Sequence, residues 1–86
     1  MINADEKARR HTHHLIDNLE RKIDVQNWIL RNRYGYSDIQ ITRLYQSMFQ
    51  TFSLTSNPDE HPSIWLAFCK YRYAQLKLLI RIEENG

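Results

Sequence analysis

Very little in this chain breaks or staples a backbone. A single cysteine, Cys69, makes an internal disulfide impossible. Small secreted domains lean on several bridges, so a reducing, cytoplasmic setting is expected. Two glycines and two prolines are too few for a linker or a disordered tract, and the rest of the composition is that of a globular, mostly helical protein. Long apolar runs are missing as well. The longest near the end, Leu78-Leu79-Ile80, is far too short to span a bilayer, and Met1 to Glu6 has no apolar signal region. Excess charge of one sign is also absent: a net charge of +2 does not establish a polyanion as partner, although its distribution matters more than its sum. No transmembrane segment and no membrane partner are expected.

What is present is helical periodicity around one corner. Residues 1–86 make one domain, and a chain of this size buries only about 60–65% of the surface its unfolded form exposes. Association with a copy of itself or with another protein would relieve so thin a margin. The organising stretch is Arg31 to Gln40, which holds the only internal glycine, Gly35. Glycine takes the left-handed conformation that ends a helix, and Arg31 and Arg33 supply cations to the negative end of the dipole. Ser37 and Gln40 then form the S-x-x-Q pattern of a capping box, with Asp38 in the first turn. One helix ends and another begins within a few residues.

The spacing of Ile16, Leu19, Ile23, Leu30 and Tyr34 predicts a first helix over about 5–34. Its register is imperfect at Gln26 and Asn27, while Val25, Trp28 and Ile29 open a second apolar face, so one long helix that bends near Asp24 is expected. About thirty residues span about 45 Å, and its N-terminal part, poor in apolar residues, should overhang. A second helix over about 37–53 carries Ile41, Leu44, Tyr45, Met48, Phe49 and Phe52, with Arg43 its only charge after Asp38. A helix so free of charge is either the centre of the fold or half of an interface. After a loop from Ser53, Asn57-Pro58-Asp59-Glu60 reads as a single turn. A last helix then runs over about 62–84, on the pattern Ile64, Phe68, Tyr71, Leu78, Ile82. Residues 76–82 have some strand character but no second strand to pair with. The fold class is therefore all-α, a small bundle of three main helices with a short extra turn before the last.

Candidate chemistry is sparse. His11, His13 and His14 cluster near the start, but no Cys-x-x-Cys or His-Glu-x-x-His spacing completes a zinc site, so no metal is expected. Cys69 has no local histidine or acid to activate it and sits amid Trp65, Phe68 and Tyr73, as a buried inert thiol would. Dispersed carboxylates and the lack of a glycine-rich phosphate loop argue against an enzyme, a cofactor or a small-molecule substrate. Two recognition surfaces remain. Arg31, Arg33, Gln40 and Arg43 around the corner, with Lys70 and Arg72 on the last helix and tyrosines between them, have the residue types of a DNA-binding surface, and the corner fits a helix-turn-helix outline. Against that outline, Arg31 stands where a small residue is usual and Asp38 would face phosphates. The other surface is apolar: Trp28 on the first helix with Met48, Phe49 and Phe52 on the second, offered to a protein partner.

The run Ile29-x-Arg31-Asn32-Arg33-Tyr34-x-Tyr36-Ser37-Asp38, then Tyr45, then Pro62-Ser63-Ile64-Trp65, resembles the Hha/YmoA family of small all-helical gene-expression modulators of enterobacteria. The likeness covers roughly residues 22–68. It implies a protein that binds a nucleoid-structuring partner of the H-NS type and does not read DNA sequence alone. Tyr34, Ser37, Asp38, Tyr45 and Trp65 match, in capping and core roles. The chain departs from the family in its uncharged Gln46–Leu54 stretch, its longer first helix and its extension past Trp65. The expected function is a non-enzymatic helical interaction module, dimeric or partner-bound, in bacterial, plasmid or phage gene regulation. Direct DNA binding is the alternative, and an inhibitor or immunity-type protein that occludes another protein is the second.

Overall fold

The computed structural model describes residues 4–52 and 61–86. Three helices fill them: α1 Ala4–Arg33, α2 Asp38–Phe52 and α3 Pro62–Asn85, with no strand among the described residues. The protein is an all-α bundle, and the helix limits fall within a residue of those read from the sequence. The turn expected at Asn57–Glu60 lies outside the described residues. α1 is one unbroken helix through Asp24, and residues 76–82 are helical with the rest of α3.

The corner forms as its residues dictate. Gly35 has φ of 72°, and the Tyr36 N–H turns back to the Leu30 carbonyl at 2.9 Å, closing the end of α1. The capping box is reciprocal: Ser37 N–H donates to Gln40 Oε1 at 2.8 Å, and Gln40 N–H donates to Ser37 Oγ at 3.1 Å. An exposed Arg31–Asp38 ion pair at 3.5 Å spans the corner, with little energetic weight of its own. No heavy atom lies within 4 Å of where a Gly35 Cβ would sit. Gly35→Ala should therefore cost only the left-handed backbone penalty, about 1–2 kcal/mol, read as a lower urea midpoint with an unchanged slope.

The core is a seam between α1 and α3. Ile16, Ile23 and Leu30 of α1 recur every seven residues and are all buried; Phe68, Cys69, Leu76 and Ile80 of α3 face them. Seven-residue recurrence is the spacing of a coiled-coil seam. Lys22 lies over the Tyr73 ring at 5.9 Å, and the Tyr36 hydroxyl donates to Glu83 at 2.8 Å. Early meets early and late meets late, so α1 and α3 run parallel. In that register Pro62 stands level with the His11–His14 stretch, and no other described helix runs beside the part of α1 before it. Glu6 to His11 are exposed, and the molecule extends 53 Å along its long axis.

α2 returns along α3 in the opposite direction. Phe49 meets Trp65, Phe52 meets Phe68 and Tyr71, and Tyr45 meets Phe68 and the guanidinium of Arg72. Four rings, those of Tyr45, Phe49, Phe52 and Trp65, stand with centroids 5.5–5.9 Å from that of Phe68. Only Met48 of α2 is buried. The charge-poor helix is thus a flank of the fold and not its centre.

A candidate protein-interaction groove

The broad apolar face of α2 is divided by this packing. Tyr45, Phe49 and Phe52 turn toward Phe68, while Leu44 and Met48 meet α3 further along. α3 likewise carries two stripes. One, Cys69–Leu76–Ile80, closes the seam. The other, Ile64–Phe68–Tyr71–Gln75–Leu78–Ile82, alternates steps of four and three residues on an adjacent face. α2 covers this second stripe at Phe68 and Tyr71 but leaves its end bare: Leu78 is 51% and Ile82 58% exposed. Leu44 and Met48 of α2 and Leu76, Leu78, Leu79 and Ile82 of α3 line a trough of about 260 Å³.

The apolar surface expected from the sequence is not assembled. Met48 is 9% exposed and belongs to the core. Phe49 and Phe52 are half-buried in the aromatic cluster. Trp28 is 62% exposed with Val25 on the outer side of α1, whereas its neighbour Asn27 lines the recess shared with Tyr45 and Arg72. A helical wheel groups residues into faces but does not say which face a neighbour takes, and α2 spends its Met48 side on α3. The groove's residues, Leu78 and Ile82 above all, were legible as helical pattern. The signal that they form a separate surface was the doubled stripe on α3.

Of the six basic and polar candidates, Gln40 and Arg43 share a recess and the others stand apart from it. Arg31 is paired with Asp38, and the Gln40 side chain is spent on the capping box. Arg33, Arg43 and Lys70 are exposed on three different stretches. Arg72 turns inward, its guanidinium 4.7 Å from the Tyr45 ring and 5.7 Å from that of Phe68, with Nε sealed from water and without a hydrogen-bond partner. A cation stacked on two rings is held by them and is withdrawn from any phosphate surface.

Cys69 is wholly buried, and burial pushes its thiol up, with Glu20 adding to the rise and Arg72 opposing it. Burial also raises the Tyr36 phenol, helped by the hydrogen bond and the charge of Glu83. Both groups are held protonated by the fold, so the native state keeps protons that the unfolded chain releases first. Their contribution is complete below the ordinary thiol and phenol values and is lost as pH rises through the raised ones. The urea midpoint should therefore begin to fall once pH passes the ordinary thiol value and go on falling above the ordinary phenol value, and Tyr36→Phe should flatten the upper part of that fall. Among the described residues no cluster of histidine, cysteine or acidic side chains could hold a metal, and no helix is long and apolar enough to cross a membrane. No family model, curated protein or solved structure matches the chain.

Proposed function

We propose that this chain is a non-enzymatic helical interaction module whose α2–α3 groove is covered by another protein chain. The observation that carries this reading is the bare end of the α3 stripe. Leu78 and Ile82 stand more than half exposed beside Leu44 and Leu79, although the same helix has a complete second face for its own core. Contiguous exposed apolar side chains in a trough are the mark of a helix-in-groove site. A setting in gene regulation is supported by the resemblance of residues 22–68 to the Hha/YmoA pattern, whose implied mode of action is also to bind a protein.

The test is the mass of the purified chain by light scattering, with and without mixed-sequence duplex DNA, from about 50 to 500 mM salt. Backbone neutralisation by several cations loses affinity steeply with salt, whereas apolar association holds. The proposal expects no DNA complex near physiological salt. A DNA complex that weakens steeply across this range, and is abolished by joint replacement of Arg31, Arg33 and Arg43, would establish the DNA-binding alternative instead.

A further inference from the structure

The groove has rims as well as a floor, and both rims carry charge of one sign. On the α2 side it opens into a neighbouring recess that shares Leu44 and Ser47 and carries Arg43. On the α3 side a second recess shares Gln75 and Leu78 and carries Arg81; Lys77 lines it as well, with its ammonium held 5.2 Å from the Tyr73 ring. Among the described residues no aspartate or glutamate lines any of the three. Of the nearby acids, Glu84 is exposed one turn beyond Arg81 and lines none of the three. Glu83 accepts the Tyr36 hydroxyl and Asp38 pairs with Arg31. Neither of the two ion pairs among the described residues involves Arg43, Lys77 or Arg81.

We infer that the groove, read as the interaction site above, takes an amphipathic helix of a different protein, with an apolar stripe on its floor-facing side and acidic residues on both flanks. A second copy of this chain is the less suitable occupant. An isologous twofold contact sets the same patch against itself, so the rims that carry Arg43 and Arg81 would face rims of the same charge. Like charges set against each other across an interface oppose association. DNA is unsuited for the complementary reason: the cations flank a floor of Leu44, Leu76, Leu78, Leu79 and Ile82 that offers phosphates and base edges nothing. Carboxylates on the incoming helix would pair with the rims at the edge of the contact, where charge sets orientation and partner choice, while the stripe displaces water from the floor.

The experiment titrates the isotope-labelled full chain with three synthetic helical peptides of one apolar stripe (leucines at i, i+3, i+7 and i+10) flanked by Glu, by Gln or by Lys. Amide and methyl shifts are followed by NMR. The Glu-flanked peptide should move Leu44, Leu78 and Ile82 and bind at least tenfold more tightly than the Lys-flanked one. The double variant Arg43→Glu/Arg81→Glu, both sites being exposed, should reverse that order. Equal binding of all three peptides would overturn the acidic partner and leave the groove as an interaction site. Absence of shifts at Leu44, Leu78 and Ile82 with every peptide would overturn both. Concentration-dependent shifts of those residues in the chain alone would overturn the inference in favour of self-association.

Discussion

Phe68→Ala should remove about 3–5 kcal/mol of folding free energy, the largest loss expected from any single substitution in this chain. Phe68 is fully buried, and it is the α3 side chain on which α2 is mounted. Tyr45, Phe49, Phe52 and Trp65 all stand around it, two of them edge-on within 5.9 Å and the Trp65 indole edge-on at 5.7 Å. Edge-to-face pairs of this kind are each worth about 0.5–1.5 kcal/mol beyond the area they bury. The Arg72 guanidinium, 5.7 Å from the same ring, would lose one of its two supports. A domain of this size has few kilocalories to lose. Urea denaturation followed by circular dichroism should show the variant mostly unfolded or with a greatly lowered midpoint. A loss below about 1 kcal/mol would mean that α2 is not held to α3 through this cluster.

The second large effect is on binding more than on stability. Leu78→Asp combined with Ile82→Asp should leave the protein folded at a cost of about 1–2 kcal/mol, because about half of each side chain already stands in water and the new acids oppose the end of the helix dipole. The same pair should weaken the Glu-flanked peptide about 100-fold or more. Two apolar contacts of about 1–3 kcal/mol are lost, and two carboxylates are placed opposite acidic flanks. Trp28→Ala provides the contrast. It removes a larger exposed apolar side chain from the outer side of α1 and should leave peptide affinity unchanged. If Trp28→Ala weakens binding as much as the α3 pair does, the contact lies on the other side of the molecule.

The corner was fully legible from residues because capping is local. A left-handed glycine and a Ser-x-x-Gln pair fix their geometry within one turn, whatever packs later, and both formed. The long continuous α1 and the helical state of residues 76–82 followed from periodicity in the same way. The role of α2 was harder to read. Freedom from charge suggested either the centre of the fold or half of an interface, and the first does not hold: Gln, Ser and Thr are solvated readily, and only Met48 of that helix is buried. The parallel pairing of α1 with α3 was not legible, since nothing between Phe52 and His61 dictates from which end α3 begins. Once that pairing is known, the rest is determined. Cys69, Leu76 and Ile80 are consumed by the seam and Phe68 and Tyr71 by α2, and among the described residues Leu78 and Ile82 at the end of the second stripe stay more than half exposed.

That exposed end is the point most directly open to measurement. Methyl spectra of the dilute free protein, recorded with a soluble nitroxide added, report which side chains solvent can reach. The Leu78 and Ile82 methyls should broaden strongly while those of Ile23 and Leu30, buried in the α1–α3 seam, stay sharp. Leu78 and Ile82 methyls as well shielded as Ile23 and Leu30 would mean that the groove is sealed within the chain and that no surface is held open for a partner.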